Sequence, residues 1–125
     1  MLTYPIGDFL VRIKNAALAG NHEAEAIATK QKVAVAKALK GAGFLEDISI
    51  KEKILTIKLA FWHKKPVLID LKLVSKPGRR IYLGVKEIAS KKGPSVFLIS
   101  TSKGIFLSKE ALKMGLGGEV IAEVW

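Results

Sequence analysis

The main change in the spacing of this chain's apolar residues falls near residue 43, and it bounds what the chain can fold into. Before it they recur at helical intervals; after it they alternate. Pro5 suits the first turn of a helix, where its missing N–H is not needed. Ile6, Phe9, Leu10 and Ile13 then follow at i, i+3, i+4 and i+7, and Gly20 with Asn21 ends the segment. Arg12 and Asn15 share its polar face. Residues 23–28 alternate weakly and suggest a short strand. Thr29 is the expected N-cap of a second helix reaching about residue 42. Val35, Ala38, Leu39 and Ala42 form its apolar stripe, and Gly41 and Gly43 stop it.

From Phe44 onward the period is two. Residues 44–50 read as a strand, with Lys51, Glu52 and Lys53 as a turn. Leu55, Ile57, Leu59 and Phe61 then point one way and Thr56 and Lys58 the other. Residues 67–74 repeat the pattern, with Ile69, Leu71 and Leu73 inward. Asp70 is outward and expected to pair with a lysine. Helices against antiparallel strands make the fold class α+β.

Ser75, Lys76, Pro77 and Gly78 form a turn and the expected domain boundary. Residues 1–74 would be an N-terminal α+β domain, two helices on an antiparallel sheet. Residues 75–125 would be a mostly β domain of short strands with a small helix, packed on the first. Its expected strands are 80–83, 95–100, 105–107 and 119–124. A helical turn is expected at 85–89 and a short helix, capped by Ser108, ending at Gly115.

Charge narrows the function. The 125 residues hold 21 Lys and Arg against 11 Asp and Glu, a net charge of +10. Such a field attracts polyanions. It is uneven: residues 1–62 carry a net +3 and residues 63–125 a net +7. With no cysteine, disulfides and thiolate metal sites are excluded. No run approaches the roughly 18 apolar residues of a membrane span. Asp8, Arg12 and Lys14 break up any signal-peptide core in residues 1–19. We expect no cofactor and no membrane.

Enzyme chemistry finds little support. His22 and His63 have no second ligand near them in sequence, and Gly115-Leu116-Gly117-Gly118 fits no phosphate-binding loop. We therefore expect no enzyme. The stronger feature is basic. Lys64, Lys65, Lys72, Lys76, Arg79, Arg80, Lys86, Lys91 and Lys92 are opposed between residues 63 and 92 only by Asp70 and Glu87. Each lysine or arginine that neutralises a phosphate releases counterions. Tyr82, beside Arg79 and Arg80, either stacks on an unpaired base or packs on the core. Ser100-Thr101-Ser102-Lys103-Gly104 is a hydroxyl-rich turn. It is either an ordinary turn or a set of donors and acceptors for RNA, with Lys103 a charge at its rim.

That turn, the segment from Ser108, and Gly115-Leu116-Gly117-Gly118-Glu119-Val120 resemble the C-terminal signature of the bacterial ribosomal protein S8 family. The resemblance extends to Ser75-Lys76-Pro77-Gly78-Arg79-Arg80-Ile81-Tyr82, to residues 5–16, to residues 32–37 and to Gly43-Phe44, in order across nearly the whole chain. It implies a primary rRNA-binding component of the small ribosomal subunit, cytoplasmic and within the ribosome. Family members recognise an irregular helix in the central domain of small-subunit rRNA and support subunit assembly. They sit among neighbouring ribosomal proteins, and in many bacteria they repress their own operon mRNA. Carried over, the main contacts are Ser100, Thr101, Ser102 and Gly104, with Tyr82 and Glu119 beside them; Arg12, Asn15 and Lys30 touch backbone further along. Leu107-Ser108, Leu112 and Glu123 depart from the family's usual Thr-Asp, Arg and Tyr. The rival readings are a non-ribosomal nucleic-acid-binding or RNA-chaperone protein, a small enzyme acting on an anionic substrate, and a membrane-surface binder. The first lacks a recognition-helix or zinc pattern, the second a convincing nucleophile or base, and the third a helix with a wide apolar face beside a lysine-rich one.

Overall fold

The structure is a computed structural model describing residues 4–91, 93 and 95–125. The expected helices form. Helix α1 (Pro5–Leu18) begins at Pro5 and buries Ile6, Phe9, Leu10, Ile13, Ala16 and Ala17. Strand β1 (Glu23–Ile27) leads to helix α2 (Lys30–Gly41). Thr29 caps α2 by accepting from the Lys32 N–H at 3.2 Å. At its end Gly43 takes φ +89°. Its N–H bonds to Lys40 O and that of Phe44 to Leu39 O, the doubled closure that a left-handed glycine permits.

Strands β2 (Leu45–Lys51) and β3 (Ile54–Leu59) form a hairpin, and β1 pairs on the other side of β3, giving a sheet of order β1-β3-β2. The hairpin turn places Glu52 and Lys53 at φ 51° and 67°. Two left-handed residues match the twist of the strands they join. Strand β2 carries a bulge at Glu46, where its register on β3 shifts between Leu45 and Asp47.

Two expectations about the following residues need correction. Phe61 does not continue β3. The chain breaks at Ala60, whose N–H bonds to Phe44 O, and Phe61 enters a two-residue strand, β4 (Phe61–Trp62), paired with β5 (Lys65–Pro66). Nor do residues 67–74 form one strand with Ile69 inward. Only β6 (Leu71–Leu73) is extended and paired, while Ile69 is 68% exposed and Leu68 is buried in its place. The cause is the final residue: the N–H groups of Ile69 and Asp70 both bond to Trp125 O, which bends the chain before it can pair.

The second sheet is built on β10 (Gly118–Val124). One edge of β10 pairs with β8 (Val96–Thr101), which pairs with β9 (Gly104–Leu107). The other edge takes two short strands in tandem, β6 against Ala122–Val124 and β7 (Tyr82–Leu83) against Gly118 and Glu119. The Ser75–Gly78 turn lies between them. Ser75 is fully buried there, and its hydroxyl accepts from the Ile81 N–H at 3.0 Å. Helices α3 (Val85–Ser90) and α4 (Ser108–Lys113) pack against this sheet. Ser108 is not the cap of α4. Leu107 holds that position, and the Ser108 hydroxyl instead accepts from the Phe97 N–H across the β8–β9 pair.

The second sheet is apolar on both faces. Leu98, Ile121, Ala122 and Val124 join the large core with α1, α2, Leu55 and Ile57. Ile99 and Val120 form a smaller core with Ile88 of α3 and Ala111 of α4. A bulge in β10 between Val120 and Ala122 divides its side chains between the two.

Candidate nucleic-acid interface

Three strands bring three expected site residues into one row. In the antiparallel register Ser100 of β8 lies opposite Glu119 of β10, and Glu119 lies opposite Tyr82 of β7. Directly opposed residues point to the same face of a sheet, so Ser100, Glu119 and Tyr82 stand side by side. Tyr82 is 66% exposed, so it is not a core residue.

Gly118 makes the row possible. A Cβ there would overlap the carbonyl of Ser100, and one on Gly117 would overlap that of Leu83. The two glycines let β10 slide between β7 and β8.

Beyond Ser100 the β8–β9 hairpin turns at Ser102 and Lys103, with Thr101 paired to Gly104. The Thr101 hydroxyl is used inside the turn. It donates to Gly104 O at 2.8 Å and accepts from the Lys103 N–H at 3.1 Å. Ser102, Lys103 and Gly104 are exposed. Among the described residues nothing in the chain bonds the Ser102 hydroxyl, so it is presented on a turn that Thr101 holds rigid.

Glu119 is not an isolated carboxylate. Arg80 Nη1 donates to Glu119 Oε2 at 3.1 Å, and the Glu119 side chain is only 18% exposed. The same guanidinium lies 5.0 Å from the centre of the Tyr4 ring. The hydrogen bond to Glu119 holds Arg80 further above its ordinary value. Burial pushes the Tyr4 hydroxyl up; the Glu119 carboxylate adds to this and Arg80 opposes it. Sequence reading missed Tyr4 and this pairing, because they join residues 39 and 76 positions apart and leave no local pattern.

The remaining expected residues lie elsewhere. Arg79 closes the Lys76–Arg79 turn with its backbone, and its side chain is exposed. Lys91 is exposed beyond α3, and Lys92 lies outside the described residues. Arg12 donates to Glu25 O at 2.9 Å, tying α1 to β1. Asn15 shares a depression with Lys14, Lys72 and Lys76. Those three lysines are further candidates; the first is recognisable only once α1 is set against β6. Asp70 pairs with Lys14 at 3.1 Å, as its outward position suggested. Lys30, at the start of α2, is exposed.

The departures from the family pattern have structural roles. Leu112 packs against the smaller core. Glu123 accepts from the Ser95 hydroxyl at 2.6 Å, so its carboxylate is satisfied inside the chain. His22 stacks on Phe61 with ring centres 4.2 Å apart, and His63 sits edge-on to Trp62 in the β4–β5 turn. Among the described residues no helix is long and apolar enough to cross a membrane.

A sequence model of the family described as Ribosomal protein S8 matches residues 4–125. The chain is 42% identical over 130 residues to the small ribosomal subunit protein uS8 of Geobacter metallireducens, covering 99% of this chain and 98% of the relative. It is 40% identical to that of Nitratidesulfovibrio vulgaris and 38% to that of Desulfovibrio desulfuricans, each over the full length of both chains.

Proposed function

The chain belongs to the ribosomal protein S8 family, and from that membership we propose that it is a structural component of the small ribosomal subunit that binds rRNA through the Ser100–Glu119–Tyr82 row and the adjoining Ser102 turn. The RNA is an irregular helix of the central domain. A-form helices bury their base edges in a deep, narrow groove. A protein must therefore read the shallow groove, ribose hydroxyls and bases displaced by internal loops. The row suits that task. Ser100 and Ser102 supply short hydroxyls, Gly104 allows backbone approach, and Tyr82 offers an exposed ring on which a base can stack, worth roughly 1–3 kcal/mol.

Glu119 has the most specific role. Its Oε2 is neutralised by Arg80, which reduces repulsion from phosphates and leaves Oε1 to accept from a base amino group. Arg79, Lys91, Lys92 and Lys103 supply phosphate contacts, and Arg12, Asn15 and Lys30 touch backbone further along. Residues 75–125 act as the RNA-binding unit and residues 1–74 as its support. The same surface serves repression of its own operon when the messenger presents a similar structure. In the cell the protein is cytoplasmic, within the ribosome, beside other small-subunit proteins.

The observation that carries this reading is the register that sets Ser100, Glu119 and Tyr82 in one row. The test is a titration of Ser102→Ala and Lys103→Ala against cognate and scrambled RNA. A lost hydroxyl leaves a desolvated RNA group unpaired, costing roughly 1–3 kcal/mol. Ser102→Ala should weaken cognate binding about tenfold at unchanged melting temperature, while Lys103→Ala should weaken both RNAs alike. Parental cognate affinity in Ser102→Ala would remove the turn from the site.

A further inference from the structure

The two ends of α1 face different surroundings. Its first turn follows Tyr4, which rests on Arg80 beside the RNA row. Its last turn ends at an open groove of about 600 Å³ beside the β4–β5 hairpin. Fourteen residues of helix separate them, about 20 Å at 1.5 Å per residue. RNA bound along the row therefore has no need to cover the groove.

The groove is apolar at its floor and basic at its rim. Among its lining residues Leu68 is buried and Phe61 and Pro66 are half-buried at the floor, the exposed Leu18 and Ile69 flank them, and Lys64 and Lys65 are exposed at the edge. Leu18 is 66% exposed and Ile69 68%. Two large aliphatic side chains left open in one depression mark a contact surface rather than scattered exposure. Among the described residues no carboxylate lines it. Asp70, next in sequence to Ile69, pairs with Lys14 instead.

The floor argues against a nucleobase. Bases stack on aromatic faces, and the two rings that line the groove, Phe61 and His22, are already stacked on each other with centres 4.2 Å apart. Leu18, Pro66 and Ile69 offer aliphatic packing, which suits the apolar centre of a protein contact, with charge left to the rim.

We infer that this groove docks a segment of a neighbouring protein in which one or two apolar side chains are flanked by carboxylates. The apolar side chains fill the floor between Leu18 and Ile69, and the carboxylates meet Lys64 and Lys65. The inference rests on the ribosomal reading, because the neighbour is a protein held beside this chain in the small subunit.

The test places a benzophenone-bearing amino acid at Ile69 of the full chain and assembles it into small subunits. Irradiation should give an adduct with a protein, mapping to a segment with Asp or Glu beside an apolar residue. Adding Lys64→Glu and Lys65→Glu should lower the adduct yield about fivefold, as reversal of rim charges weakens a complementary contact. An adduct with rRNA instead, a protein segment without carboxylates, or no adduct would overturn the inference. Entry into the subunit is scored separately by sedimentation. A chain that stays out removes the ribosomal reading and this inference with it; a chain that enters without the expected adduct removes this inference alone.

Discussion

Arg80 holds Glu119 across 39 positions of sequence, Nη1 to Oε2 at 3.1 Å, in the middle of a row otherwise made of neutral groups. The largely buried carboxylate depends on that partner. Arg80→Ala should weaken cognate RNA binding about tenfold or more, because it leaves a desolvated charge unpaired beside phosphates. In the background of Glu119→Gln the same Arg80 substitution should cost much less. A double-mutant cycle of binding titrations measures the coupling. Additive effects would mean that Arg80 acts as an independent phosphate contact.

Gly118 should tolerate no side chain. Its Cβ would enter the Ser100 carbonyl, so Gly118→Ala must separate β10 from β8. Overpacking of this kind costs about 1–3 kcal/mol, and the melting temperature should fall by on the order of 5–10 °C. Calorimetry checks it. An unchanged melting temperature would show that the sheet relaxes there without strain.

Affinity should fall linearly with salt on logarithmic axes, with a slope reporting on the order of four to eight phosphate contacts. Lys91→Ala, at an exposed position, should lower the magnitude of that slope by about one while keeping the ratio of cognate to scrambled binding. Titrations at several salt concentrations decide it; a changed ratio would make Lys91 a reader of RNA identity.

The Leu71 N–H and, after it, Lys14 hold the Asp70 carboxyl below the usual carboxylate range. A group whose folded value is depressed stabilises the fold above its unfolded value, and that contribution is lost as pH falls through the folded value. Lys14→Met should therefore raise the Asp70 midpoint, leaving it still depressed by the Leu71 N–H. A carboxyl NMR titration reads this directly. A midpoint that does not move would show that the ion pair is absent in solution.

Elements were legible in the sequence where one local rule decided them. The α1 stripe from Ile6 to Ile13, the Thr29 cap and the Gly43 stop all formed as their spacing implies. Rules failed where a distant partner intervened. Ile69 alternates correctly for an inward strand residue, but Trp125 O accepts from its N–H and from that of Asp70, and the bend turns its side chain out. Ser108 has the chemistry of a cap, but Phe97 offers its N–H first. At the interface, the Ser100–Gly104 turn was visible as a cluster of hydroxyls. Its division of labour was not: Thr101 and Ser102 look alike in sequence, and only the closed turn shows Thr101 spent on the backbone and Ser102 left outward.

The charged edges of the first sheet bear on the chain before it meets any RNA. An open strand edge invites pairing with another copy. Strand β1 carries Glu23 and Glu25 along its edge. Strand β2 carries Glu46, Asp47 and Lys51 and is kinked by its bulge at Glu46. Charged side chains and an irregular edge discourage strand-to-strand growth. In the second sheet, outer strand β9 is shielded by α2 and α4. The edges of the first sheet are thus built against pairing with a second copy, and four of the eleven acidic residues of this basic chain, Glu23, Glu25, Glu46 and Asp47, lie on them.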